Sequence, residues 1–341
     1  MSWFWSGTAS TQRGPSNRLM AGFVVLLLAL GGPLIGLADV EARQQSSPSG
    51  RIAFVRGGNV WAWSQEGERE LFQDGNASDP RWSPDGGEVL FVQSGGSFSN
   101  LVIHDFSSAS NTWLTDYEAN ATGGSKDYVE FSSWAMDPAW GANGVIVYVS
   151  DRESKEREFR LWLLPSWESA GGLAPSDDTD PGDIEHVSID ANATIVVYTV
   201  LALGGPQGGT TYVAIRDLKS GATTPLVEGP LGAFDPALSS DGKTVAYSVR
   251  WDTGISDIWM IDRASGREVQ LTRGEEAISP TWSPDGKWVA YLRPADGGFE
   301  AWAVPVDRAA QSVGEPVRLF GHDDVDATSG LSWTYSQVAL P

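Results

Sequence analysis

The chain contains no cysteine at all and only three histidines in 341 residues. The first absence excludes a disulfide framework, a thiolate metal site, a cysteine nucleophile and a lipidated cysteine. The histidines, His104, His186 and His322, form no H-E-x-x-H or similar ligand pair. Basic residues are scarce as well: 23 Lys plus Arg stand against 44 Asp plus Glu, a net charge of −21. A nucleic-acid binder needs the opposite surplus to neutralise phosphate, and an anionic membrane surface would repel such a chain. No G-x-S-x-G nucleophile elbow occurs, and no amphipathic helical pattern appears after residue 50. What is present is 16 Trp, 39 Gly and a hydrophobic fraction of 41%. That is too apolar for a disordered acidic chain, and the length suffices for a full core without staples.

The first fifty residues differ from the rest. A polar start with Arg13 and Arg18 precedes an uncharged apolar stretch over 19–38, followed by Asp39, Glu41 and Arg43. Twenty apolar residues are enough to span a bilayer. Gly31-Gly32-Pro33 would break a helix within them, and small residues follow at Gly36, Ala38 and Ala42. That is the layout of a secretory signal peptide. Cleaved signal and retained anchor both stay open, and both put the basic end in the cytoplasm and the remainder outside it. The expected organisation is therefore 1–42 as n-region plus apolar signal or anchor, 43–50 as a polar linker, and 51–341 as the globular part. The membrane is contacted only through the N-terminal segment.

The remainder repeats. DPRWSPDGGEVLFV (79–92) returns as SPTWSPDGKWVAYL (279–292), and with drift as DPAWGANGVIVYVS (137–150), EHVSIDANATIVVY (185–198) and DPALSSDGKTVAYS (235–248). In each copy a short strand meets a tight turn, where Pro presets φ, Asp caps and Gly takes positive φ, and an alternating strand follows. A third strand comes about ten residues later, as in DIWMID (257–262), and then a fourth, as in EVQLT (268–272). Four antiparallel strands at a period of about 48 residues are the sequence form of a β-propeller blade. The chain starts mid-blade, at IAFVR (52–56), and finishes on SGLSWTYS (329–336), which matches an inner strand. The expectation is an all-β, six-bladed propeller of four-stranded antiparallel blades, closed by the C-terminal strand completing the N-terminal blade. Closure removes an open sheet edge. Trp82, Trp140, Trp282 and Trp333 share one inner-strand position, and Trp61, Trp162, Trp259 and Trp302 one third-strand position. Large aromatics there would fill the space between blades.

P-x-W-S-P-D-G, at Pro280–Gly286, followed by an alternating strand and by an I-W pair such as Ile258-Trp259, resembles the WD-repeat-like propeller repeats of the TolB family. It is also similar to the propellers of prolyl-oligopeptidase and dipeptidyl-peptidase enzymes. The resemblance covers the propeller alone. It implies the fold and an extracytoplasmic setting without assigning a ligand, and neither the N-terminal domain of TolB nor a peptidase domain has a counterpart here.

The connections from one blade to the next hold nineteen acidic residues against Lys126 and Arg273, so −17 of the −21 is expected there. Asp79, Asp137, Glu185 and Asp235 stand just before successive inner strands and are expected to ring the channel mouth. Like charges on one rim attract cations or a basic partner. Solvated loops, a basic protein or peptide, and a divalent cation are the three readings of this pattern. DDTDPGD (177–183) offers Asp178, Asp180 and Asp183 as a weak calcium loop that misses EF-hand spacing. The longest connection, 116–136, offers Tyr117, Tyr128, Phe131 and Trp134 as anchors for a partner, or as residues folded back on the blade. The expected function is a non-catalytic protein- or peptide-binding scaffold needing no cofactor. The alternative is a calcium-dependent lactonase- or esterase-like propeller with carboxylates at the channel mouth.

Overall fold

In the computed structural model, residues 47–117, 133–153, 158–167, 174–175, 182–205, 208–228, 231–251 and 254–340 are described. Six antiparallel sheets of four main strands each form the blades of a propeller. Blade 1 pairs Ser332–Thr334 with Arg51–Arg56, Asn59–Ser64 and Gly67–Phe72. Blade 2 runs through Ala77–Trp82, Glu88–Ser94, Ser99–Asp105 and Ser110–Trp113. Blade 3 comprises Ala135–Trp140, Ile146–Ser150, Arg160–Leu164 and Ala174–Pro175. Blade 4 is Asp183–Ile189, Ile195–Gly205, Gly208–Asp217 and Thr223–Glu228. Blade 5 is Ala233–Leu238, Thr244–Arg250, Ser256–Asp262 and Glu268–Gln270. Blade 6 is Ile278–Trp282, Trp288–Ala295, Gly298–Asp307 and Val317–His322, with Ser312–Val313 pairing as a short extra strand. Among the described residues no helix is long and apolar enough to cross a membrane. The apolar segment at 19–38 lies outside them.

The ring closes as the repeat count requires. Arg51, Ile52 and Ala53 pair with Thr334, Trp333 and Ser332. An axial cavity of about 440 Å³ is lined by inner-strand residues of all six blades, Trp82, Trp140, Ile189, Leu238, Trp282 and Trp333 among them.

The Ser-x-Asp-Gly turns explain why the motif repeats. Ser83, Ser239 and Ser283 each donate from Oγ to Oδ1 of the Asp two residues on, at 2.7–2.8 Å. Each hydroxyl also accepts the N–H of the residue that opens the second strand, Glu88, Thr244 or Trp288, at 2.9–3.0 Å. The Asp accepts a further N–H within the turn, from Gly87, Lys243 or Lys287. These bonds favour the charged carboxylates, so Asp85 and Asp285 titrate below the usual range and Asp241, which also receives Arg308, falls to about 2.

One buried aromatic per blade fills the next position along: Phe54, Phe91, Tyr148, Tyr198, Tyr247 and Tyr291. The inner-strand tryptophans Trp82, Trp282 and Trp333 are buried, as is Trp162. At the third-strand position Trp61 and Trp302 are only partly buried, and Arg56 and Arg293 cover their faces at 3.5 and 3.8 Å.

Candidate functional site

Five of the six inner strands begin with a bulge, and the bulge sets the channel mouth. Register breaks between Ser78 and Arg81, Met136 and Ala139, Glu185 and Ser188, Phe234 and Ala237, and Ile278 and Thr281. The residue just inside each break has left-handed backbone: Asp79 (φ 50°), Asp137 (48°), His186 (52°), Asp235 (49°) and Ser279 (53°). Gly330 holds the same offset before Trp333, with φ 64°. Four of these residues precede proline, which has no N–H for the ladder and is tolerated in a strand at such a bulge. Because the conformation recurs around the ring, it belongs to the architecture rather than to one strained catalytic residue.

This register corrects the expected ring. Asp79, Asp137 and Asp235 are equivalent, but Glu185 is not their counterpart. Glu185 pairs with Thr199, one position before the bulge, and His186 takes the ring position. Glu185 takes the position of Ser78, Met136 and Phe234 in the other copies and His186 that of the Asp, and strand pairing shows which of the two fills the slot.

The ring is knitted blade to blade. Asp137 Oδ2 accepts the N–H of His186 at 2.9 Å, and Asp235 Oδ2 accepts the N–H of Ser279 at 3.1 Å. His186 Nδ1 lies 3.0 Å from Asp235 Oδ1. Burial pushes the Asp79 carboxyl up to about 7, and the Asp137 charge adds to this, against a partial offset from Arg81. Burial also raises Glu185. For His186 burial acts to lower the pKa, but Asp235, Asp137, Glu185 and Asp79 together outweigh it and raise it. The mouth therefore holds the His186 imidazole among four carboxyl groups that favour its charged form. The Ser279 hydroxyl donates to the Ala327 carbonyl at 3.2 Å rather than to the imidazole.

The other expected site residues are dispersed. Tyr117 is 6% exposed, its hydroxyl 3.0 Å from that of Tyr148 in the packing between blades 2 and 3, which removes it from any partner surface. Trp134 is half-buried, its N–H bonded to Asp151. Tyr128 and Phe131 lie outside the described residues, as do Asp178 and Asp180. Asp183 caps an edge instead, accepting the Phe159 N–H at 2.9 Å. Among the described residues no group of three or more His, Asp or Glu is arranged to hold a metal ion.

Part of the connection acidity is consumed within the fold. Glu275 pairs with Arg293 and accepts from Tyr291, and Asp324 approaches Arg56 at 3.8 Å. Those arginines lie in the last part of second strands, whose turns share the face of the blade-to-blade connections. Sequence counting of the connections alone leaves them out.

Comparison with solved structures agrees with the propeller fold. TolB from Acinetobacter baumannii superposes with a TM-score of 0.63 over 86% of this chain and 70% of its own, at 16% identity. The fold is that of the TolB-like propellers. A chain from a nidogen/laminin complex superposes with a TM-score of 0.59 over 84% of this chain and 99% of its own, at 9% identity. In sequence, an uncharacterised protein of Agrobacterium fabrum is 35% identical over 89 residues, 26% of this chain and 30% of that protein. An uncharacterised peptidase of Bacillus subtilis is 25% identical over 202 residues, 51% of this chain and 29% of that protein. The chain thus spans less than a third of the length of these curated relatives. No family model matches it.

Proposed function

We propose that this TolB-like propeller is a non-catalytic binding scaffold that docks a basic protein or peptide segment on the channel-mouth face. The carrying observation is the ring of Asp79, Asp137 and Asp235 around His186, where burial and mutual repulsion hold Asp79 at about 7. A cationic group placed there would relieve that repulsion and let Asp79 ionise. The occurrence of this fold in a nidogen/laminin complex fits such a role. The scaffold acts outside the cytoplasm, with residues 1–42 as export signal or anchor, 43–50 as linker and 51–341 as the propeller. Sequencing the mature N-terminus tests that part.

The docking test is a fluorescence titration with a labelled Lys/Arg-rich peptide and an acidic control. Binding of the basic peptide alone is expected, weakening as salt screens the rim and weakening again in Asp137→Asn/Asp235→Asn. Binding indifferent to salt and to the double variant sinks the reading. So does stoichiometric calcium uptake at the mouth together with an ester- or lactone-hydrolysing activity.

A further inference from the structure

Beside the channel mouth, a cavity of about 360 Å³ opens among blades 4, 5 and 6 and takes in His186, Asp235 and Ser279 of the ring. Its volume falls in the small-molecule class of roughly 300–1,000 Å³. Leu201, Leu231, Phe234 and Ile278 supply an apolar wall, and Glu185 and Arg250 supply opposite charges. The repeat does not demand this composition. The position after the buried aromatic of the second strand is Val55, Val92, Val149 and Leu292 in blades 1, 2, 3 and 6. Blade 4 has Thr199, which lines the cavity, is 1% exposed, and has no hydrogen-bond partner for its hydroxyl. Its counterpart in blade 5, Ser248, is also buried and unpartnered but does not line this cavity. A buried hydroxyl without a partner costs free energy that an isosteric valine would not. Glu185 has no hydrogen-bond partner among the described residues. Arg250 likewise makes no ion pair there, and its guanidinium lies over the Phe234 ring at 5.2 Å. The two charges do not pair with each other, so the cavity presents the Glu185 carboxyl, the Arg250 guanidinium, a waiting hydroxyl and an apolar surface, with the His186–Asp235 pair on its mouth side.

We propose that this cavity binds a free α-amino acid with a large apolar side chain. The ammonium goes to Glu185 and the Thr199 hydroxyl, the carboxylate to Arg250, and the side chain to Leu201, Leu231 and Phe234. This goes beyond the scaffold role, although the cavity shares Glu185, His186 and Asp235 with the channel mouth.

The test is calorimetric titration of the full chain with L-phenylalanine, N-acetyl-phenylalanine and phenylalanine amide. Saturable binding of phenylalanine is expected, with each capped analogue weaker by about tenfold or more, as for sites whose polar groups are left unpaired. Thr199→Val should weaken phenylalanine about tenfold while its thermal midpoint stays level or rises, because the variant loses only an unsatisfied hydroxyl. Arg250→Gln should erase the preference for phenylalanine over its amide. No saturable binding in the millimolar range overturns the proposal. Equal binding of all three probes, or an affinity unchanged by Thr199→Val, does so as well. Asp79→Asn/Asp137→Asn separates the two readings, since neither residue lines this cavity: loss of basic-peptide binding there with phenylalanine binding retained leaves the cavity standing alone.

Discussion

Replacing Trp333 with alanine tests whether the two chain ends really hold the ring together. Trp333 is 7% exposed and packs with Ile52, Trp63, Trp288 and Leu331. Its indole N–H donates to the Ser49 carbonyl at 2.8 Å, and its strand pairs with Arg51–Ala53 of blade 1. A buried Trp removes roughly 200 Å² from water, which at about 25 cal/mol/Å² is an upper figure of about 5 kcal/mol. Truncations of this kind cost about 3–5 kcal/mol, and the lost hydrogen bond adds about 1 kcal/mol. Urea unfolding followed by Trp fluorescence should show the midpoint falling by at least about 1 M, for a slope near 3 kcal/mol/M. Trp113→Ala is the control: Trp113 sits on an outer strand, 52% exposed, and should change stability by no more than about 0.5 kcal/mol. If Trp333→Ala costs no more than Trp113→Ala, the closing strand is not a stability element and the closure argument is refuted.

Three further outcomes are expected. Asp79 titrates at about 7 in the fold against 3.8 unfolded, so the folded state binds the extra proton and stability from this group falls as pH rises between those values. Asp79→Asn should match the parent at pH 4 and raise the urea midpoint at pH 8, with about 3 units at about 1.4 kcal/mol each as the ceiling; an equal or lower midpoint at pH 8 contradicts the raised pKa. Ser283→Ala strips the Trp288 N–H and Asp285 of their partner and should cost about 1–3 kcal/mol by thermal melting. Tyr148→Phe leaves the buried Tyr117 hydroxyl unpaired and should cost about 1 kcal/mol, much of it recovered in Tyr148→Phe/Tyr117→Phe; additive losses in this double-mutant cycle would argue against the pair.

The fold was legible because a blade is written locally. Ser-Pro-Asp-Gly specifies its own turn through bonds spanning at most five residues, and alternation specifies the strands beside it. Counting the copies then sufficed for six blades and for closure by Trp333. The candidate site was half legible for the same reason. Asp79, Asp137 and Asp235 carry the repeat's own signature, whereas His186 does not, since its place depends on a bulge register against Val197 and Thr199. Tyr117 reads as a loop aromatic until packing puts it beside Tyr148.

Local sequence thus determined the repeat, the blade count and the surplus of negative charge, because turns and alternation are short-range chemistry. Only the tertiary structure decided where charge and polarity end up. Arg293 reaches Glu275 across a connection, His186 settles between carboxylates from two other blades, and Thr199 meets a cavity where four of the other blades have valine or leucine. Each of these is set by contacts between residues far apart in the chain, whose side-chain directions follow from the register of the closed ring.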